Sequence, residues 1–360
     1  MARSGVDVRL ADVSQAQLDK GRANAAALLE RQQRAGRLDA AQAQAILGSI
    51  QFQTDHAGFE SVDLVVEAVS EQAALKYTVL DQLESALRDE AVIATNTSSL
   101  RVTDIASALR RPERFVGMHF FNPVPAMPLV EVIQGERTDA ATLAAAVRLS
   151  QRMGKTPIVV QDCPGFLVNR IVTPYLRAFV RLVAEGVDPY AIDDAMEAYG
   201  WPMGPAMLED VVGLDTGSHV LRTIAQGYAD RMPELQPDVL ATMAARGILG
   251  QKAGAGFYLH PPAAPGSASA RRAPNPAMVA VLQAVQAGGS RQMSAADIVQ
   301  RMMLPLWLEA GRCLEEGVVS TAAELDLAVL LGLGYPRTPD ESNDFVILRR
   351  SRSEEHTSEL

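Results

Sequence analysis

The apolar positions divide the chain into two parts. Up to about residue 160, short apolar runs alternate with longer stretches of helical periodicity; beyond Cys163 only helical patterns remain. Residues 6–10 (V-D-V-R-L) alternate and lead to Asp12, which reads as a strand with an acid at its carboxyl end. Residues 14–34 are rich in alanine, leucine, glutamine and charge and open on Ser14 as an N-cap, so a long helix is predicted, with a second over 39–47. A buried strand follows over 63–69 (D-L-V-V-E-A-V), then a helix over 73–87 and a strand over 92–94 that enters N-T-S-S-L. Ser98 or Ser99 caps a short helix reaching Leu109. Two apolar, β-branched runs, 115–121 and 129–133, flank a loop containing Pro123, Pro125 and Pro128; the prolines exclude helix and leave an ordered connection between strands. A helix over 142–153 and a strand over 157–160 close this part. Strands alternating with helices specify a mostly parallel sheet covered on both faces.

In the second part, Pro164-Gly165-Phe166 breaks the chain and helices are predicted over 168–185, 193–199, 208–227 and 237–246. Residues 261–276 are rich in proline, alanine and serine, as a linker is. The chain then repeats itself. R-I-V-T-P-Y-L-R-A-F-V-R-L-V-A-E-G-V from Arg170 matches R-M-M-L-P-L-W-L-E-A-G-R-C-L-E-E-G-V from Arg301, with Arg, Pro, Arg, Glu and Gly all displaced by 131 residues. Asp193 and Asp326, Gly200 and Gly334, Pro202 and Pro336 keep the same order, so the helical part is an internal duplication. The second copy has Gln300 where the first has Asn169, which makes it a structural mate. The predicted organisation is an α/β domain over 1–162, a first helical copy over 163–260, a linker over 261–290, a partial second copy over 291–339 and a polar, disordered tail over 340–360.

A chain of 360 residues, 48% hydrophobic, buries a large core. A net charge of -10, with no basic cluster among aromatics, argues against nucleic acid as a partner. The two cysteines, Cys163 and Cys313, lack a metal-ligand spacing and fit a reducing cytoplasm. No run of eighteen apolar residues suggests membrane insertion.

Chemistry concentrates at the predicted strand ends, where open α/β sheets bind ligands. Asp12, Glu67, Asn96, Ser98 and His119 all fall there. His119 and Glu131 lie on the two strands around the proline loop, close enough for the carboxylate to fix the imidazole tautomer and favour acid–base work near neutral pH. An acid closing the second strand of a dinucleotide fold takes the ribose hydroxyls and repels a 2′-phosphate, so Asp12 selects NAD over NADP. The glycine turn of such a fold belongs about 20 residues earlier. Eleven residues precede Asp12 and contain no G-x-G-x-x-G, and residues 1–4 read as the last turn of a helix. Gly254 and Gly256 lack the third glycine and the following helix, and read as an ordinary loop.

N-T-S-S at 96–99, G-M-H-F-F-N-P-V at 117–124, L-V-E-V-I at 129–133, D-C-P-G-F-L-V-N-R at 162–170 and G-W-P-M-G-P at 200–205 resemble the 3-hydroxyacyl-CoA dehydrogenase family over roughly residues 5–337. The duplicated helical unit further resembles the dehydrogenase part of the multifunctional fatty-acid oxidation enzymes. The resemblance implies a Rossmann-like domain, here without its first strand and glycine loop, followed by a duplicated helical domain. It implies oxidation of 3-hydroxyacyl-CoA to 3-oxoacyl-CoA with NAD in β-oxidation. His119 would be the base and Glu131 its orienting partner, with Ser98 and Asn169 on the reacting oxygen. Asp12, Ala68, Glu71, Lys76 and Asn96 would line the cofactor cleft. An acyl-CoA substrate and a homodimer or a complex with other β-oxidation enzymes follow as partners. The missing glycine turn implies weak NAD binding, and a catalytically silent fragment with a helical dimerisation surface is the alternative, as is a dehydrogenase of another 3-hydroxy acid.

Overall fold

The four-residue run Val92–Thr95 is buried at every position because it lies inside a sheet. The computed structural model describes residues 1–261 and 273–336. The chain divides into two units, Met1–Val159 and Val160–Leu360. In the first, β1 (Val8–Ala11) and β2 (Ile50–Gln53) pair in parallel as a two-stranded sheet, connected by α1 (Gln15–Arg34) and α2 (Ala40–Gly48). The second sheet has five strands in the order β3 (Leu64–Glu67), β4 (Val92–Thr95), β5 (Phe115–Phe120), β6 (Leu129–Gln134), β7 (Thr156–Gln161). β3, β4 and β5 run parallel and β6 returns antiparallel to β5. Helices α3 (Ala73–Ala86), α4 (Val102–Ala106) and α5 (Ala140–Arg152) connect them. Val92, Ala94, Val116, Met118, Val130, Val132 and Ala146 form the core between this sheet and α5.

The expected α/β arrangement followed by helices is the one observed, with differences in detail. β1 starts two residues later than predicted, and β2 escaped prediction: I-Q-F-Q alternates over only four residues and is separated from α2 by Ser49 alone. β1–β2 and β3–β7 are separate sheets, with no ladder between β1 and β3 among the described residues. Ser14 caps α1 as expected, its hydroxyl accepting from the Gln17 amide, and Asp39 with Gln42 forms a full capping box on α2. Neither Ser98 nor Ser99 caps α4, which follows Arg101 without a side-chain cap.

The second unit contains α6 (Val168–Ala184), α7 (Pro189–Tyr199), α8 (Pro205–Val212), α9 (Leu214–Gln226) and α10 (Val239–Ala245). The single helix expected over 208–227 is two, because Gly213 adopts φ +97° and ends α8 before α9 begins. A two-residue ladder pairs β8 (Tyr258–Leu259) with β9 (Ala273–Pro274), and α11 (Met278–Val285), α12 (Ala295–Glu315) and α13 (Ala322–Leu333) follow. The linker expected over 261–290 is corrected by β9 and α11, which buries Met278, Val281 and Val285. Its residues 262–272, and the tail expected over 340–360, lie outside the described residues.

The sequence repeat is reciprocal in space. α6 and α12 pack together, and each carries a proline, Pro174 and Pro305, at the matching position. Arg170 of the first copy ion-pairs with Glu316 of the second at 2.8 Å, while their counterparts exchange roles, Arg301 meeting Glu185 at 2.7 Å. Gly200 packs against Pro336 and Gly334 against Pro202. The matching rings Trp201 and Tyr335 meet edge to face, 5.7 Å apart. Trp307, buried in α12, donates to the Tyr335 hydroxyl at 2.8 Å.

Glu209 on α8 is buried with no hydrogen-bond partner for either carboxylate oxygen. It faces α9 at Gly217, where any Cβ would collide with it. Burial, reinforced by Asp238 and Asp210, pushes its pKa up to about 8, so it is folded as the neutral acid. Unfolding frees it to ionise near its ordinary value. From about pH 5 to pH 8 the native chain therefore holds a proton that the unfolded chain has released, and stability falls as pH rises through that window.

Two measurements check this unit. Replacing Glu209 by Met should stabilise the protein more at pH 8 than at pH 5, by roughly 3 kcal/mol in urea unfolding; an equal effect at both pH values would contradict a buried neutral acid. Trp307→Ala should cost about 3 to 5 kcal/mol, since it empties the seam between the copies.

Candidate active site

β5 carries His119 and β6 carries Glu131, and the antiparallel register places them directly opposite each other. His119 Nδ1 lies 2.7 Å from Glu131 Oε2, and both side chains are buried. An ionised carboxylate only accepts, so opposite it Nδ1 carries the proton and Nε2 is the acceptor nitrogen of the ring. The Phe121 ring packs edge-on against the imidazole at 4.7 Å and limits its rotation.

Hydrogen bonds tie the neighbouring strand ends to this pair. Asn96, just beyond β4, accepts from the Phe120 amide through Oδ1 at 3.3 Å and donates its own amide to the Glu67 carbonyl at 2.8 Å. The loop after Asn96 wraps around Glu71: one carboxylate oxygen accepts from the Thr97 hydroxyl, the Ser98 amide at 2.8 Å, and the Ser99 amide and hydroxyl at 3.1 Å. Partial burial works against the Glu71 charge, but the Thr97 hydroxyl, the Ser98 amide, Lys76 and the Ser99 amide outweigh it and hold the pKa below the usual carboxylate range. Ser98 and Ser99 are therefore held by Glu71 through their amides, and neither hydroxyl accepts from the first turn of α4. The Ser98 hydroxyl makes no hydrogen bond among the described residues.

Lys76, expected to line a cofactor cleft, is fully buried on α3. Its ammonium is held by Glu67 at 2.9 and 3.2 Å and by the Val69 carbonyl at 3.3 Å, and lies 3.4 Å from Glu71. Glu67 also accepts from the Thr95 hydroxyl at 2.7 Å and the Val69 amide at 2.7 Å. Lys76 is thus the buried counter-ion of Glu67 and lies beside Glu71 as well. Thr95 and Thr97 went unread in the sequence, where the only signal was the run N-T-S-S.

Ala68 is exposed immediately past β3. Asp12 is exposed past the end of β1, where one carboxylate oxygen accepts from the Ser14 amide at 2.9 Å. Asn169 belongs to the second unit; half-buried, it opens α6, and its carbonyl accepts from the Thr173 hydroxyl. Among the described residues no cluster of three or more His, Cys, Asp or Glu side chains could hold a metal ion, and no helix is long and apolar enough to cross a membrane.

A parallel α/β sheet with a His–Glu pair and an acid-braced loop at its strand ends defines a protein of the dinucleotide-binding dehydrogenase class. Residues 1–163 match the 3-hydroxyacyl-CoA dehydrogenase NAD-binding domain, and residues 165–260 and 298–354 match the C-terminal domain of that enzyme. The chain belongs to the 3-hydroxyacyl-CoA dehydrogenase family, whose members are NAD-dependent oxidoreductases. It is 44% identical over 335 residues to the fatty acid oxidation complex subunit alpha of Pseudomonas savastanoi pv. phaseolicola, covering 93% of this chain and 46% of that protein. The chain thus spans about half the length of the curated relatives it matches. The crystal structure of 3-hydroxybutyryl-CoA dehydrogenase from Escherichia coli K12 superposes with a TM-score of 0.79 at 26% identity, over 93% of this chain and 85% of that one. The (S)-3-hydroxybutyryl-CoA dehydrogenase PaaH1 from Ralstonia eutropha gives 0.68 at 38% identity, over 72% and 93%.

Lys76→Met should destabilise the first unit by about 3 to 5 kcal/mol in denaturant unfolding, because it leaves Glu67 buried and unpaired. A cost below about 1 kcal/mol, as for an exposed lysine, would show that Lys76 is not its counter-ion.

Proposed function

We propose that this chain oxidises 3-hydroxyacyl-CoA to 3-oxoacyl-CoA with NAD as the hydride acceptor, as the dehydrogenase step of fatty acid β-oxidation. The observation that carries the reading is the buried His119–Glu131 pair at 2.7 Å, at the strand ends of a sheet matched by an NAD-binding family model. Nε2 of His119 takes the hydroxyl proton as C3 loses its hydride and the C3–O bond becomes a carbonyl. The carboxylate of Glu131 holds the imidazole in the required tautomer and offsets the charge it gains. The Ser98 hydroxyl, unengaged within the protein, is available to hydrogen-bond the reacting oxygen; Asn169 is assigned the same role on the motif D-C-P-G-F-L-V-N-R alone.

NAD supplies the hydride-accepting nicotinamide. Asp12 would hold a ribose, and Ala68, Glu71 and Asn96 would line its site; Glu71 does so while bracing the loop that presents Ser98. Lys76 acts behind them. The relatives named as fatty acid oxidation complex subunits support a complex with other β-oxidation enzymes as the setting of this activity.

The test is NADH formation from a 3-hydroxyacyl-CoA. His119→Gln should lower turnover by about 10² to 10⁴, the usual worth of a positioned general base, and Glu131→Gln should lower it less. Turnover near wild type in the His119 variant would sink the assignment.

A further inference from the structure

Away from the strand ends, the second unit holds a cleft of about 280 Å³ where α6 meets α12. Its charged lining is four arginines, Arg177, Arg181, Arg231 and Arg301, and no acid; the remainder, including Pro174 and Pro305, is apolar. In a chain of net charge -10 this is a pronounced local excess of positive charge.

Two of the four are neutralised by carboxylates. Arg231 meets Glu309 at 2.8 Å and Arg301 meets Glu185 at 2.7 Å. The other two form no ion pair among the described residues, although Asp238 acts on Arg177 and Glu185 on Arg181 at longer range. Arg177 and Arg181 lie four residues apart on one face of α6, where like charges repel. Arg177 is only 7% exposed, and its guanidinium donates to the Pro233 carbonyl. Burial first, and Arg181 second, lower its pKa, while Asp238 opposes them. Arg181 forms no ion pair among the described residues. A solvated surface arginine needs no partner, but one removed from water does.

The repeat accounts for the missing acid. Glu309, which neutralises Arg170 and Arg231, corresponds to Ala178 in the first copy, and Ala178 lines the cleft. Where one copy carries a buried carboxylate, the other leaves arginines and space.

We propose that this cleft is an anion site for a phosphate monoester carried on a small apolar body. Two guanidinium groups one turn apart, neither in an ion pair, suit a dianion with several acceptor oxygens better than a single carboxylate. The prolines and Leu304 offer the apolar part a surface. The volume, just below the roughly 300 to 1,000 Å³ of drug-sized sites, admits one phosphate with a small substituent.

Isothermal titration of the protein with inorganic phosphate and with phenyl phosphate tests this. Both should bind one to one, phenyl phosphate more tightly by about tenfold, as burial of part of a ring provides. Arg181→Glu, at an exposed position, should weaken both by about tenfold or more with an unchanged thermal midpoint, and Arg177→Met should weaken both as well. His119→Gln should leave both affinities intact, which separates this cleft from the strand-end site. Absence of binding at millimolar phosphate, equal affinity in Arg181→Glu, or loss of binding in His119→Gln would each overturn the proposal.

Discussion

The antiparallel register between β5 and β6 is the constraint on which the first unit's chemistry depends. Because successive side chains alternate faces, a slip of one residue would send His119 and Glu131 to opposite sides of the sheet. The register is held from both sides: Met118 and Val132, adjacent to the pair, are fully buried in the core. A carboxylate as buried as Glu131 without a cationic or donor partner would be costly, so the pair and the register stabilise each other. From this fixed point the bonds spread outward, from the Phe120 amide to Asn96, from Asn96 to the Glu67 carbonyl, and from Glu67 through Lys76 to Glu71 and the Ser98 loop. The strand ends are cross-braced, and the groups offered to a ligand are positioned by buried charges behind them.

The second unit is organised by duplication, and its departures from symmetry are where its character lies. Arg170 with Glu316 and Arg301 with Glu185 are what two copies facing each other must form if one bond is formed at all. Glu309 has no counterpart in the first copy. It draws in Arg170 and Arg231, whose guanidinium groups both lie over the Tyr228 ring, at 4.6 and 4.4 Å. The Glu309 network is thus neutralised and reaches the cleft through Arg231, while Arg177 and Arg181 on the cleft wall form no ion pair.

The sequence made the alternation of strands and helices, the proline loop and the repeat legible, because each is encoded in a long local pattern. What it hid depends on distant partners or very short elements. Ser98 or Ser99 read as the N-cap of a short helix, but a carboxylate 27 and 28 residues earlier takes their amides and α4 starts after Arg101. Lys76 was assigned to a cleft by resemblance; its burial against Glu67 depends on how α3 lies on β3, which no local pattern records. β2 is four residues long, and Gly213 reads as a tolerable helix interior until its φ is known. The proline, alanine and serine bias ends at residue 276, and the linker expected to run on to 290 covers M-V-A-V-L-Q-A-V, which is the helix α11.

The chain also contains a second histidine–acid pair, and comparing the two shows what identifies a site. His260 Nε2 lies 2.8 Å from Asp210, almost the distance found for His119 and Glu131. Asp210, however, also accepts the Phe257 and Tyr258 amides at 2.8 and 2.9 Å, so its work is to pin the segment leading into the β8–β9 ladder to α8. Asp193, whose pKa burial pushes up to about 7, likewise accepts the Ala206 and Met207 amides and the Tyr258 hydroxyl and caps α8. A perturbed acid or a short histidine contact thus marks structure as readily as chemistry. The difference is position. His119 and Glu131 sit at strand ends of an α/β sheet beside a loop that leaves a serine hydroxyl unengaged, whereas Asp210 and Asp193 are each taken up by two backbone amides together with His260 and the Tyr258 hydroxyl respectively.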